Sequence, residues 1–192
     1  GRGRVLESLH ARPQVTGDGN TVLSNLIGLN APGVGAMAND NGVDVRGAMN
    51  TIGAPGQGNT ISGNDVAGVV IQDGEATGNV VQANRIGTRP DGTTAARNFY
   101  SGVRIRLTSG NLIGGDGAGE GNVIAKNGSL GVSVESGDGN AILGNSIWEN
   151  GSGIELVPYG SAQNDPGDVD SGANRGQNYP VLKNVGASVG SA

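Results

Sequence analysis

Four charged side chains have the spacing of a candidate reaction site: Arg104, Arg106, Glu135 and Glu155. They alternate with Val, Ile or Leu along short segments, so we expect all four to point away from an apolar face. Glu135 and Glu155 occupy successive copies of a repeated segment and could form the carboxylate pair that cleaves a glycosidic bond by acid–base chemistry. Arg104 and Arg106, one copy earlier, complete the set of candidate catalytic residues. The structural alternative is an ion pair between Arg106 and Glu135, which on a protein surface contributes about 0 to 1 kcal/mol.

A second candidate site near the C-terminus has the oxygen-rich spacing of a calcium loop. Asp168, Asp170 and Asn174 recur at intervals of two and four residues with Gly172 between them, and Asp165 precedes them. Hard cations take several such oxygen ligands, gathered by a turn that glycine permits. The loop has no distal glutamate, so calcium of modest affinity is the only cofactor expected. The alternative is an acidic, solvated loop shaped by Pro and Gly.

Two aromatic residues are candidates for carbohydrate binding. The chain has one Trp, three Tyr and one Phe, and Trp148 and Tyr159 fall near the last copy of the repeat. Their rings could stack on sugar rings, because an aromatic side chain offers a flat apolar face with a polar tip. The alternative is that both cover the open end of a stack of repeats.

Composition limits the partners of the chain. Its 12 Lys and Arg against 17 Asp and Glu give a formal charge of -5, which disfavours nucleic acid as a partner. No stretch approaches the roughly 20 apolar residues that span a bilayer, so no membrane span is predicted. Zero cysteines exclude disulfides, thiol catalysis and Cys-ligated zinc. With 38 glycines among 192 residues, the core must consist of small aliphatic side chains.

The candidate residues must be positioned by a repeat that occurs five times. Each copy contains three short apolar segments, two introduced by Asn and one by Gly. The copies begin at Asn20, Asn50, Asn79, Asn111 and Asn140, which are separated by 30, 29, 32 and 29 residues. A period of this length is typical of stacked units that bury their faces against one another.

Within each copy the apolar residues alternate over three or four positions and then meet Gly or Asn, which favours strands over helices. Four inward positions in each copy are always Val, Ile or Leu, and in register they form columns such as Ile61, Ile86 and Ile124. The sequence therefore predicts an all-β protein, a right-handed parallel β-helix (β-solenoid) of about five three-strand coils of about 30 residues. We expect the Asn residues to adopt left-handed backbone at bends and to stack as ladders.

Three regions are predicted along the chain. Residues 1–18 contain no copy of the repeat and form an N-terminal cap or the edge of a fragment. Residues 19–157 form the coils of the β-helix. Residues 158–192 form a loop-rich C-terminal cap or tail. Because the ends of such a stack expose strand edges, self-association through the solenoid ends is a further expectation.

Several motifs carry a resemblance to a known family. The segments 84–88, 91–95, 111–115 and 121–124 read NRIGT, DGTTA, NLIGG and GNVI, and the tail contains NDPGDVDSG at 164–172 and QNYPVL at 177–182. Together they resemble the parallel β-helix repeats of large secreted bacterial surface proteins, including those that carry the CSLREA domain, over about residues 19 to 183. The resemblance implies the fold and a secreted or cell-surface location for a fragment of a larger protein. It implies no agreed activity.

Two functions remain open on these observations. The first is a non-catalytic structural or adhesive module with weak carbohydrate binding, whose partners are polysaccharides or cell-surface components. The second is a polysaccharide lyase or glycoside hydrolase acting on an acidic polysaccharide, because pectate lyases, polygalacturonases and uronan epimerases are also parallel β-helices. Fold alone does not decide between them.

Overall fold

The computed structural model describes residues 5–6, 13–156 and 172–177. Short strands separated by bends make up almost all of the regular structure in these residues, with one 3₁₀ turn at Ala173–Gly176. In chain order the strands are β1 (Val5–Leu6), β2 (Gln14–Val15), β3 (Thr21–Val22), β4 (Leu26–Ile27), β5 (Val43–Val45), β6 (Thr51–Ile52), β7 (Thr60–Ile61), β8 (Val69–Gln72), β9 (Val80–Val81), β10 (Arg85–Ile86), β11 (Val103–Arg106), β12 (Leu112–Gly114), β13 (Val123–Ala125), β14 (Leu130–Val134), β15 (Ala141–Leu143), β16 (Ser146–Trp148) and β17 (Ser152–Leu156).

The strands form three parallel sheets, as the repeat predicts. The first-strand sheet has the order β3-β6-β9-β12-β15, and the second-strand sheet has the order β1-β4-β7-β10-β13-β16. The third-strand sheet runs from β2 through β5, β8, β11 and β14 to β17. Each coil contributes one strand to each sheet in turn, and coils 1 to 5 begin at the five Asn residues named above. The chain is thus a parallel β-helix, and its right-handed sense follows from the general rule for parallel crossovers.

The predicted columns of aliphatic residues are confirmed. Ile61, Ile86 and Ile124 occupy the same register position in β7, β10 and β13, and each has no exposed surface. Columns in the other two sheets pack against this one to form a single core. Burial is incomplete towards the ends of the stack: Val22, Ile142, Ile147 and Leu156 are partly buried, and Ile154 is 47% exposed. It lies in β17, the edge strand of its sheet, where no further described strand covers it.

The stack begins earlier than the sequence repeat indicated. β1 pairs with β4, and β2 pairs with β5, so each extends a sheet by one strand before coil 1. Both strands are two residues long and belong to no copy of the repeat by which the other short strands were predicted. Within residues 1–18, β1 and β2 are therefore strands of the β-helix.

Two asparagine ladders stand at the bends where the sequence placed them. In each rung the backbone N–H and the Nδ2 of one Asn donate to the Oδ1 of the Asn one coil later; for Asn50 and Asn79 the distances are 2.8 and 3.1 Å. The first ladder consists of Asn20, Asn50, Asn79, Asn111 and Asn140. The second ladder consists of Asn25, Asn59, Asn84, Asn122 and Asn145.

A third ladder, which the sequence analysis missed, stands at the bend before the third-strand sheet. It consists of Asn39, Asn64, Asn98, Asn127 and Asn150. These residues precede the Gly that opens the third strand by three or four positions. The sequence analysis used that Gly as the marker of the third strand and so overlooked the Asn. Each of the three bends of the triangular coil is therefore held by its own asparagine ladder.

In the ladders of coils 1 to 5, the left-handed backbone mostly belongs to the residue before the Asn rather than to the Asn itself. Positive φ angles occur immediately before most ladder positions, at Gly19, Ser24, Met49, Gly63, Gly78, Ala83, Gly110, Lys126, Gly139, Gly144 and Glu149. The residue with positive φ turns the chain sharply, and the amide of the following Asn then points along the stack. The expectation that Asn was chosen for its own backbone preference is corrected.

Glycine at the start of the third strand is required by close approach. A Cβ at Gly102 would lie 2.5 Å from Ile124 Cγ2 and 2.7 Å from the carbonyl oxygen of Gly131. Both distances are shorter than real Cβ contacts, so any side chain would push neighbouring coils apart. The same obstruction, against the next coil's Ile and Gly, recurs at Gly42, Gly68 and Gly131.

Two hairpin-like excursions leave the bend after the second-strand sheet, on coils 1 and 3. Each is closed by an antiparallel bridge, between Leu29 and Ala36 and between Thr88 and Ala95. In the second, Asp91 Oδ1 accepts the backbone N–H groups of Thr93 and Thr94, both at 2.8 Å. These bonds define a turn in which a side-chain carboxylate replaces a backbone acceptor.

This turn predicts a titration well below the usual range for a carboxyl group. Hydrogen bonding by the Thr94 side chain and then by the backbone of Thr93 and Thr94 lowers the pKa of Asp91 from 3.8 to about 2. Since the folded-state pKa is the lower one, ionised Asp91 stabilises the turn above pH 4, and this contribution is lost as the pH falls towards 2. NMR titration of the Asp91 carboxyl should give a midpoint near 2.

The matched variants for this prediction are Asp91→Ala and Asp116→Ala, since Asp116 is exposed on a different loop. Asp91→Ala should speed amide hydrogen exchange at Thr93 and Thr94, whereas Asp116→Ala should leave it unchanged. An Asp91 midpoint near 4 would contradict the turn.

Candidate functional site: a groove on the third-strand sheet

The outer face of the third-strand sheet brings the predicted charged residues together. The register aligns Arg104 with Val70 on one side and Ser133 on the other, and Ser133 with Glu155. Two positions along the same strands, Arg106 is aligned with Gln72. The face therefore carries two parallel rows of outward side chains, as the alternation predicted, with strands about 4.8 Å apart.

A groove of about 770 Å³ runs over coils 3 to 5 of this face and reaches Val66 of coil 2. Arg104, Ser133, Glu135 and Glu155 line it, together with backbone and small side chains of the bends before β11, β14 and β17. Tyr100 lies at the bend before β11, also lines the groove and is 57% exposed. The groove thus combines three of the four predicted charged residues with an aromatic residue that was not predicted.

Tyr100 is braced by its neighbour in the chain. The rings of Phe99 and Tyr100 pack edge to face, with centroids 5.7 Å apart and an angle of 63° between their planes. Such pairs stabilise by about 0.5 to 1.5 kcal/mol beyond their buried area. The backbone of Tyr100 is also fixed, because its N–H donates to the carbonyl oxygen of Val66 at 2.7 Å and its own carbonyl accepts the N–H of Ser129 at 2.7 Å.

Glu135 is held by both arginines. Arg104 Nε donates to Glu135 Oε1 at 2.5 Å, and Arg106 Nε lies 3.8 Å from Glu135 Oε2. The ion pair expected between Arg106 and Glu135 is therefore present, but the shorter contact comes from Arg104, which reaches Glu135 diagonally across the strands. All three side chains are a quarter to two fifths exposed, so solvent screens the pair.

The two candidate carboxylates lie on adjacent strands but are not directly opposite one another. Glu155 is level with Ser133, so Glu135 lies two residues further along the neighbouring strand. With a rise of about 3.3 Å per residue and a strand spacing of about 4.8 Å, their Cα atoms are about 8 Å apart. This is a diagonal pair, and Glu155 lies at the edge of the described sheet.

A second, smaller depression of about 250 Å³ adjoins the groove over coils 1 to 3, and both share Val66 and Arg104. Its most polar part is the buried carboxylate of Asp44, which accepts hydrogen bonds from Gln72 Nε2 at 2.8 Å and from Arg46 Nη2 at 3.1 Å. Hydrogen bonding to Asp44, together with the charges of Asp44 and Asp73, raises the pKa of Arg46. Arg46 is therefore fully committed to structural ion pairs.

Trp148 lies on a different sheet from the groove, in β16 of the second-strand sheet. The Nζ of Lys126 stands over its ring, 4.9 Å from the centroid, and also pairs with Glu149. One face of the ring is thus already occupied by a cation, which favours a structural role for Trp148. Tyr159, the other predicted aromatic candidate, lies outside the described residues.

Of the four predicted calcium ligands, only Asn174 is described; Asp165, Asp168 and Asp170 lie outside the described residues. Asn174 continues the first ladder: its Oδ1 accepts the backbone N–H of Asn140 at 3.1 Å, and its Nδ2 donates to the carbonyl oxygen of Asn140 at 2.7 Å. Its amide is therefore already used in the stack. In the part of the chain that the structure describes, no group of three or more His, Asp or Glu residues could hold a metal ion.

Sequence reasoning missed two residues of this face, Tyr100 and Asn41. Both lie at bends before third strands, where the repeat shows no regular pattern, so no periodic signal identified them. The useful signal for Tyr100 was compositional, because adjacent aromatics are unusual in a chain with so few. No signal in the sequence identified Asn41, since Asn39, two positions earlier, is the Asn that belongs to the ladder.

Comparison with known proteins gave no match: no protein-family model, curated protein or solved structure is significantly similar to the chain. A search of the described residues for a helix long and apolar enough to cross a membrane also found none. The function must therefore be argued from the geometry of the third-strand face.

Proposed function

We propose that this chain is a non-catalytic binding module that holds carbohydrate on the outer face of the third-strand sheet. The observation that carries the proposal is the exposed ring of Tyr100 beside a groove lined by Arg104, Glu135 and Glu155. A flat aromatic face with a few placed hydrogen-bonding groups fixes the orientation of a sugar ring.

The ion pairing of Glu135 favours binding over catalysis. A catalytic carboxyl group must be free to reach the reacting atoms, whereas each carboxylate oxygen of Glu135 faces an arginine side chain. Glu135 with its partners Arg104 and Arg106 instead offers a fixed array of donors and acceptors. Because strands and ladders hold this array rigidly, little conformational entropy is lost when a ligand binds.

The resemblance to secreted bacterial surface proteins supports an extracellular setting for this role. We extend the proposal to a structural or adhesive module at a cell surface, whose partners are polysaccharides. The repeated rows of the third-strand sheet suit an extended ligand, because successive coils present groups at regular intervals of about 4.8 Å.

One observation favours a second candidate, an inverting glycoside hydrolase. The Cα atoms of Glu135 and Glu155 are about 8 Å apart, and from these positions the side chains can place their carboxyl groups at the roughly 6.5 to 9.5 Å that leaves room for a water molecule between two catalytic carboxyl groups. In that case Glu155, which has no ion-pair partner among the described residues, would supply the acid or base. Reducing ends released from a polysaccharide, and lost in Glu155→Gln, would establish the second candidate over the first.

The proposal predicts that Tyr100→Ala weakens carbohydrate binding about tenfold, the loss of roughly 1.4 kcal/mol expected for a stacked aromatic ring. Binding of neutral and acidic oligosaccharides would be measured by calorimetry. The matched control is Leu107→Ala, which removes another exposed apolar side chain, 61% exposed and just beyond the same strand. Equal affinity in all three proteins, or no binding of any oligosaccharide, would refute the proposed function.

A further inference from the structure

The depression beside the groove has the polarity of a site for an acidic sugar. We infer that the third-strand face selects acidic oligosaccharides, with a carboxylate of the ligand at Arg106 and a ligand hydroxyl at Asn41. The inference rests on the proposed function, because it names the class of carbohydrate that the same face binds. Two features of the described residues carry it: a guanidinium with donors left for a ligand and a buried acceptor without a partner.

Arg106 retains donors for a ligand. Its neighbour Arg104 bonds Glu135 at 2.5 Å, while Arg106 reaches the same carboxylate only at 3.8 Å and is 40% exposed. Arg46, in the same row of the face, is bonded to Asp44 and Asp73 instead. A guanidinium has five N–H donors in a planar fork that matches a carboxylate. Arg106 is thus placed to form a two-point contact with an anionic group.

Asn41 supplies an acceptor that needs a donor. Its Oδ1 is buried and accepts no hydrogen bond, and Asn41 lines the same depression as Arg106. A buried acceptor without a partner is costly, so such groups in native proteins normally have a donor from the protein, water or a ligand. A sugar hydroxyl can donate to it once the Asn41 side chain turns this oxygen towards the depression.

The two groups stand at opposite ends of the strands that line the depression. Asn41 precedes β5, whereas Arg106 ends β11, and the polar side chains of Asp44, Arg46 and Gln72 also line the depression. A ligand on this surface therefore meets an acceptor at one end and a cation at the other end. A uronic acid carries both hydroxyl groups and a carboxylate.

The depression is continuous with the groove. Arg104 and Val66 line both, and Tyr100 is hydrogen-bonded to Val66 through the backbone. A chain of sugar rings can consequently stack on Tyr100 and extend its acidic units towards Arg106. A single acidic monosaccharide would use only half of this surface, so binding should strengthen with oligomer length.

The test uses oligomers of galacturonic acid and of glucuronic acid, each compared with its fully methyl-esterified form. The ester keeps the rings and hydroxyl groups and removes the charge. We expect the acids to bind at least tenfold more tightly than the esters, and Arg106→Gln to abolish that difference. Gln is tolerated at this position, because Gln72 occupies the equivalent place one coil earlier. Arg85→Gln, an exposed arginine on the second-strand sheet, is the matched control.

The outcomes separate the inference from the proposed function. Equal binding of acids and esters would overturn the inference and leave the proposed function standing, whereas no binding of either form would overturn both. Tight binding of the acids that is unchanged in Arg106→Gln would place the anion elsewhere and overturn the inference. Asn41→Leu should weaken acids and esters by the same factor, and an unchanged affinity in that variant would remove the hydroxyl contact.

Discussion

Ile86→Asp should unfold the protein or leave it aggregated. Ile86 has no exposed surface and stands between Ile61 and Ile124 in a column of the core. A carboxylate there would have no partner and no water, and would either pay a large desolvation penalty or become protonated. We expect a loss of more than about 4 kcal/mol in the free energy of unfolding, against a total of about 5 to 15 kcal/mol for a typical domain. Chemical denaturation followed by circular dichroism measures it.

The control for this experiment is the adjacent residue. Arg85 belongs to the same two-residue strand but is exposed, so Arg85→Asp introduces the same side chain on the opposite face. Its effect should stay within about 0.5 kcal/mol. Similar losses in the two variants would show that the register of β10 differs from the one described, because a shift of one residue exchanges the two faces.

The core could be predicted from sequence because strands as short as two residues recur with the same inward residue types. Each column position is β-branched or Leu, and the repeat supplies five independent readings of it. β1 and β2 could not be predicted in this way, since neither belongs to a copy of the repeat. The exposure of Ile154 is likewise a property of the end of a sheet, which no repeat encodes.

The third ladder was hidden by variable spacing rather than by weak chemistry. Asn39, Asn64, Asn98, Asn127 and Asn150 follow the second strand at different distances, because the excursions on coils 1 and 3 are inserted before them. The Asn residues of the first two ladders come immediately before their strands, so each Asn recurs at a fixed distance from the apolar residues that follow it. A ladder is therefore recognised from sequence only where no loop intervenes between the Asn and its strand.

The residues of the candidate site that lie on strands could be predicted from the sequence, whereas those that lie at bends could not. Alternation placed Arg104, Arg106 and Glu135 on one face, and that prediction is confirmed by the ion pairs. The stronger bond from Arg104 depends on side-chain reach across a diagonal, which register alone does not decide. Tyr100 and Asn41 lie at bends, where the outward residue types differ from one copy of the repeat to the next.

The bends before the third strands show how one scaffold acquires different surfaces. Backbone hydrogen bonds stack Tyr100 on Val66 and Val66 on Asp40, with distances of 2.7 and 2.8 Å. The same corner thus presents an acidic residue on coil 1, an apolar residue on coil 2 and an aromatic residue on coil 3. Because the ladder beneath holds the backbone in each case, side chains at this corner can vary without loss of the fold, as binding requires.

Asn98→Ala should be the most damaging substitution of a polar residue. Asn98 is fully buried, its Oδ1 accepts the backbone N–H and the Nδ2 of Asn64 at 3.1 and 2.8 Å, and its Nδ2 donates to Ile61 O and Asn127 Oδ1 at 3.1 and 2.9 Å. Removing the amide leaves four buried groups without this partner, at roughly 1 to 3 kcal/mol for each that finds no other. Allowing for relaxation, denaturant unfolding should show a loss of roughly 3 to 5 kcal/mol.

Two further variants separate the ladder from simple packing. Asn20→Ala removes the exposed first rung of the first ladder, whose Nδ2 donates to Asn50 Oδ1 at 3.1 Å, and should cost about 1 kcal/mol or less because water replaces the amide. Asn98→Asp keeps the volume of the side chain but replaces the donor towards Asn127 Oδ1 with an oxygen. If the ladder is held by directed hydrogen bonds, Asn98→Asp should destabilise nearly as much as Asn98→Ala. Stability equal to that of the parent protein would mean that shape, and not the amide chain, holds this bend.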